Sequence, residues 1–379
     1  MSESAQTSKY RRIVVKVGTS TLTRGTGRIS QQAVDGLVAQ IACLREQGTQ
    51  VLLVTSGAIT AGLERLGLES ARPSDMPSLQ AAAAIGQIEL ARRYEHSASY
   101  YRMLIGQVLL TRNDTGDRQA YLHARDTLER LLEMGALPVI NENDTVSVDE
   151  IRFGDNDTLA ATIATLVGAD LVILLSDIKG LYTADPRKQE DARFLERVEA
   201  FTQDIVDAAG GAGSVTGSGG MATKVNAARV LMRAGIPMVI CEGDRPNAIL
   251  DIAAGRSIGT LFSQQEGSDV ASAKKLWIAL GNKAQGSLVI DQGAVTALTK
   301  KGSSLLPVGV SRVEGSFESG DVVNVVDDKG RLVARGLVRF DCAEAQATAG
   351  CNSSQLQQDA GLSHLAGKDI IHRDEMIVF

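Results

Sequence analysis

Two lysines stand where an ammonium group is hard to keep. Lys16 sits inside the apolar run IVVKVGTS, and Lys224 lies one turn inside the helical pattern that follows GSGG. A charge taken out of water needs a partner. Lys16 therefore either meets an anion or lies on a sheet edge with its head in solvent. Gly18 follows, where the backbone can approach a ligand closely, and Thr19, Ser20 and Thr21 add hydroxyls. Around Lys224 the layout is that of a phosphate cradle. Ser218, Gly219, Gly220, Met221, Ala222 and Thr223 bring backbone N–H groups and one cation to a helix start. It is neither a Walker A loop, because Val225 follows the lysine, nor GxGxxG. The competing reading of GGAGSVTGSGG is a merely flexible loop.

Three further clusters follow apolar runs. VTSGAITAG places Ser56 and Gly57 at a strand-to-helix turn, where free N–H groups hold phosphate or carboxylate, or simply form a βα turn. The stretch NENDTVSVDEIRFGDND carries Asn141, Glu142, Asn143 and Asp144, then Gly154, Asp155, Asn156 and Asp157. Such groups suit the reading of amino and carboxyl groups, and carboxylates this close could also hold a divalent cation. GDND also reads as a turn with Asp157 starting and capping a helix. The spacing is not that of an EF-hand. LLSDIKGLYTADPR turns from strand to loop at Ser176 and Asp177, where a ligand sits in an open α/β sheet.

The four histidines, at 96, 123, 364 and 372, form no cluster, and no nucleophile elbow appears. A histidine-based hydrolase is disfavoured. Phosphorylation of a carboxylate fits instead. A side-chain carboxylate of pKa ~4.3 is already ionised at pH 7, so the site must only position it and neutralise the transferring phosphoryl group. Two lysines oriented by an aspartate, with Mg²⁺ on the nucleotide, would serve.

The elements that must hold these residues are legible. IVVKV (13–17), VLLVTS (51–56), LPVIN (137–141), LVILLS (171–176) and IPMVIC (236–241) are apolar nearly throughout, as parallel strands covered on both faces are. Between them lie helical patterns. In one, Val34, Leu37, Val38, Ile41 and Leu44 form a stripe ending at Gly48. In another, Leu159, Ile163, Leu166 and Val167 share a face. Repeated strand–helix units mean an α/β sheet. Residues 263–276 read as a linker. Beyond it LWIAL, GSLVI, VVNVV and RLVARGLVRF, divided by Gly315, Gly320 and the DDKG of 327–330, predict a small, mainly β domain. The expected organisation is a disordered 1–10, an α/β domain over 11–262, the linker, and the β domain over 277–379.

The chain of 379 residues carries a net charge of −6, which disfavours a general nucleic-acid or membrane-surface binder. The C-terminal part sets 10 Lys and Arg against 12 Asp and Glu over 277–379, a net of −2. RNA binding through phosphates wants a basic face, so a structural or regulatory role is expected there. Four cysteines without a CxxC pair, a polar N-terminus without an apolar segment and no membrane-length apolar run predict a cytoplasmic protein.

KVGTS, VTSGAI, NENDxV, GDND, SDxKGLYTADPR and the GGMxTK helix start, in this order, resemble the amino acid kinase family across residues 10–262. The family pattern usually has Thr where Ser176 and Ser218 stand; both keep the hydroxyl. KGSSLLPVGVSRVEGSFESGDVV (301–323) resembles a PUA domain. The resemblance implies an amino acid kinase-like sandwich with a mainly parallel central sheet. It implies that Lys16 and Lys224 stabilise the transition state and that Asp157 holds both. Ser56, Gly57, Asn141, Asp144 and Asn156 would bind L-glutamate. Lys16, Gly18, Ser176, Asp177 and the 218–224 loop would bind ATP. It further implies L-glutamyl 5-phosphate as product, a first step toward proline, inhibition by proline, hand-off to a glutamyl phosphate reductase, and a homo-oligomer. Members acting on aspartate, N-acetylglutamate, carbamate or uridylate are the alternatives, and the Mg²⁺ ligands are not identified.

Overall fold

The strand β1, Arg12–Val17, is buried along all six residues. It pairs in parallel with β2, Gln50–Val54, on one side and β5, Leu171–Ser176, on the other. β1 is thus central in the sheet, which removes the sheet-edge reading of Lys16. The structure, a computed structural model, describes residues 8–146, 156–184, 186, 189, 191–201, 205, 220–264, 270–271, 275–276, 278 and 284–379. They fall into two compact units, one within 8–264 and one from 270 onward. Residues 1–7 of the expected disordered stretch, and much of the linker, lie outside the described residues. Ser8 to Tyr10 are ordered: Lys9 N donates to Ala253 O at 3.0 Å and Ser8 N to Gln47 Oε1 at 3.1 Å.

The first unit adds β3 (Leu104–Leu110), β4 (Ala136–Glu142), β6 (Arg197–Val198), β7 (Met238–Glu242) and β8 (Thr260–Phe262). The order across the sheet is β3-β4-β2-β1-β5-β7-β8-β6. All pairings are parallel except β7 with β8. The order reverses between β1 and β5: the chain leaves β1 toward β2 and later returns on the other side. At such a switch point the loops after neighbouring strands diverge and leave a crevice.

Helices cover both faces. They are α1 (Thr19–Thr23), α2 (Gln31–Glu46), α3 (Ala58–Leu66), α4 (Met76–Ser99), α5 (Arg112–Gly116), α6 (Arg118–Glu133), α7 (Asn156–Leu166), α8 (Met221–Arg233) and α9 (Ala248–Ala253). One face packs Ile13, Val15, Leu53, Leu137 and Val139 against α2, α4 and α9. The other is covered by α6, α7 and α8. Ser30 caps α2 by accepting from Ala33 N, and Gly48, at φ +87°, follows its last turn. α3 and α4 approach so closely that side chains are excluded. A Cβ at Gly62 would lie 1.8 Å from Ala82 O, and one at Gly86 1.8 Å from Ala58 O.

The second unit has β9 (Gly286–Ile290), β10 (Val310–Gly315), β11 (Val322–Val326), β12 (Leu332–Leu337) and β13 (Met376–Val378), ordered β10-β9-β11-β12-β13. Its own core holds Leu288, Val323, Val325, Phe317 and Phe340. The β11–β12 turn is built by Asp327, whose Oδ1 accepts from Lys329 N and Arg331 N, with Gly330 at φ +76°. Within LWIAL the two described residues, Leu276 and Ile278, are helical rather than extended. A short apolar run without period does not separate a strand from a buried helix. Among the described residues no helix is long and apolar enough to cross a membrane.

Candidate active site

The sequence-predicted residues gather where parallel strands end. β1 delivers Lys16 and, just past its end, Gly18, whose N–H donates to Leu175 O across the switch point at 3.4 Å. β2 leads into Ser56 and Gly57, β4 into Asn141 and Glu142, β5 into Ser176 and Asp177. Helices α7 and α8 begin at Asn156 and Met221, so their positive N-terminal ends join the site.

Asp157 is its centre. Lys16 Nζ lies 2.7 Å from Oδ1 and Lys224 Nζ 3.0 Å from Oδ2, with all three side chains at most 10% exposed. Thr223 Oγ1 is 3.0 Å from the same Oδ2. Burial alone would raise the Asp157 carboxyl. The two ammonium groups outweigh it, by charge and by hydrogen bond, and hold the carboxyl below its ordinary value. Asp157 is second in α7 and its carboxylate turns to the two lysines, while the residue before the helix lies outside the described residues. Two ammonium groups meet on one carboxylate, out of water. Such a pair of cations fits a polyphosphate.

Beside it lies a cluster of neutral polar groups. Asn156 Nδ2 is within hydrogen-bond distance of Thr55 O (2.8 Å), Ser56 Oγ (2.8 Å) and Asn141 Oδ1 (3.0 Å). Asn141 in turn donates through Nδ2 to Gln87 Oε1 at 2.9 Å. Gly57 precedes α3 at φ +100°, a conformation that favours glycine. Asp144 is half-buried in the turn after β4. On the β5 side, Ser176 Oγ donates to Asp177 Oδ1 at 3.1 Å. Gly18 is not required by its surroundings. A Cβ there would meet Lys16 Nζ, Leu175 O and Ser20 Oγ no closer than 3.7 Å, ordinary contact distance.

Gly220 precedes α8, and Met221, Ala222 and Thr223 form its first turn with Lys224. Ser218 and Gly219, like Gly154 and Asp155, lie outside the described residues. Sequence reasoning missed Gln87 and the buried pair Thr55 Oγ1 and Tyr94 OH, 2.7 Å apart. Nothing in QAAAAIGQIEL sets Gln87 apart from an ordinary helix surface residue.

The model of the amino acid kinase family matches residues 11–242, and that of the PUA domain residues 286–358. A protein of Caldanaerobacter subterraneus subsp. tengcongensis named glutamate 5-kinase is 47% identical over 367 residues, covering 97% of each chain. Proteins of the same name from Ralstonia pickettii and Citrifermentans bemidjiense are 45% and 43% identical, covering 97% and 98% of this chain and the same shares of their own.

Proposed function

This chain belongs to the amino acid kinase family, and from that premise we propose that it phosphorylates the side-chain carboxylate of L-glutamate with ATP. The observation that carries the reading is Asp157 holding Lys16 and Lys224 side by side, out of water, next to an amide cluster. A glutamate oxygen attacks Pγ as the bond to the ADP oxygen breaks, and charge spreads over the equatorial oxygens. Lys16 and Lys224 neutralise that charge, and Asp157 fixes their spacing. No base is required, because the attacking carboxylate has already lost its proton. Ser56, Gly57, Asn141, Asp144 and Asn156 hold the amino acid. Gly18, Ser176, Asp177 and the 218–224 loop hold the nucleotide. Mg²⁺ bound to the phosphates supplies further charge neutralisation. Among the described residues no group of three or more His, Cys, Asp or Glu could hold a metal unaided, which suits an ion that arrives with the nucleotide.

The relatives' shared name supports glutamate over its rivals. Proline, formed downstream of such a product, would inhibit at or near the glutamate pocket, and the labile acyl phosphate would pass to a reductase. A cytoplasmic homo-oligomer is the setting we assign, and four free thiols suit a reducing compartment. The PUA-like part we read as structural or regulatory.

The test traps the product. Enzyme, MgATP and hydroxylamine are mixed with glutamate, aspartate or N-acetylglutamate in parallel. Hydroxylamine displaces phosphate from an acyl phosphate and leaves a coloured hydroxamate. Colour from glutamate alone is expected. Colour from another acid alone would move the chain to a different substrate, and none from any acid would end the kinase reading.

A further inference from the structure

Asn141 is held from both helical layers at once. It follows Leu137 and Val139 in alternation along β4, and both of those pack toward α4. Gln87 on α4 therefore reaches it, while Asn156 reaches it from α7 beyond the strand end. The orientation of these amides is dictated, one after another, by a single backbone carbonyl. Thr55 O can only accept, so the Asn156 atom 2.8 Å from it is Nδ2. The Asn141 atom facing that nitrogen is then Oδ1. Asn141 Nδ2 must point the other way, and it finds Gln87 Oε1. Gln87 closes the chain.

Asn141 is 2% exposed, so an amide N–H there without an acceptor would carry its full desolvation cost. An amide has two protons. Gln87 takes one, and the second has no acceptor among the described residues. We propose that Gln87 is a positioning residue: it binds one proton of the Asn141 amide and thereby aims the other at a carboxylate of the amino-acid substrate. The proposal rests on reading the amide cluster as the glutamate site. The helix crossing makes the reach possible. Gly86, the neighbour of Gln87, lets α4 lie on the first turn of α3, where Ala58 and Gly57 adjoin Ser56.

The test uses the full chain, hydroxamate kinetics with glutamate and ATP varied separately, and the Tm of each variant. Gln87→Glu keeps an acceptor opposite Asn141; Gln87→Lys puts a donor there. Amide orientation predicts that Gln87→Glu leaves KM for glutamate within about threefold, while Gln87→Lys raises it at least about tenfold. KM for ATP and Tm should hold in both. A residue acting only by charge near an acidic substrate gives the reverse order, with the lysine tightening glutamate and the glutamate weakening it. That order, or equal KM values, would overturn the proposal. If Gln87→Lys also lowers Tm, Gln87→Leu, with neither donor nor acceptor, should raise KM in the same direction, and an unchanged KM counts against it. In an Asn141→Ala background Gln87→Lys should add no further loss; an additive loss means that Gln87 does not act through Asn141. Absence of hydroxamate from the unsubstituted chain is a separate failure, that of the reaction. Calorimetric titration with glutamate would then still rank the Gln87 variants.

Discussion

Lys16, buried in a strand, was the residue most open to two readings, and its neighbour Gly18 offers the sharper test of what it does. A methyl group at 18 has room in the protein, 3.8 Å from Lys16 Nζ. On the proposed assignment of Gly18 to the nucleotide, it would occupy space that a phosphate needs to reach that lysine. Gly18→Ala should therefore leave Tm unchanged and raise KM for ATP about tenfold or more, with KM for glutamate little affected, as separate substrate titrations would show. A loss of Tm instead would make the glycine a folding requirement. At this scale much of the candidate site's make-up was legible, because a lysine in an apolar run and an asparagine ending one are conspicuous. Gln87 was not. Its importance depends on a partner 54 residues away, and no local pattern encodes which helix face meets a strand end.

At the scale of elements, the crossing of α3 and α4 is where packing and site depend on each other. Backbone touches backbone there, and nothing flexible can give way. Gly86→Ala must push α4 off α3, and overpacking of this kind costs about 1–3 kcal/mol. The expected outcome is a lower Tm together with a raised KM for glutamate, since Gln87 withdraws with the helix; urea titration and hydroxamate kinetics on one preparation would show both. A lower Tm with unchanged KM would separate the crossing from the site. The strands were read nearly to their ends, because parallel strands buried on both faces are uninterrupted apolar runs. β3 was not among them. It lies at the sheet edge with Leu104 69% exposed, and its sequence LIGQVLL carries glycine and glutamine in mid-run. Leu276 and Ile278 of LWIAL are helical for the complementary reason: apolar content alone does not set the backbone state.

For the whole molecule, the two units have separate sheets and separate cores. Every described residue assigned to the reaction belongs to the first. A chain ending at Gln264 should thus still form hydroxamate from glutamate, with kcat within about threefold of the full chain. A folded but inactive truncation would instead give the C-terminal unit a part in catalysis. That two units exist was legible from the change in texture near residue 262. Which strands of the second sheet are neighbours was not, because β9 pairs with β10 and β11 in opposite senses, and pairing is decided by tertiary contacts rather than by local pattern.

The central place of β1 also has a bearing on how the protein is made. β1 is followed closely in synthesis by its β2 neighbour, but its β5 neighbour comes only about 150 residues after β1. At roughly 5–20 residues per second, that is a wait of about 8 to 30 seconds. During it, one long apolar edge stands open, and Lys16 has neither Asp157 nor Lys224 beside it. A nascent chain in that state is a natural client for a chaperone, and slowing synthesis between residues 54 and 171 should lengthen its exposure.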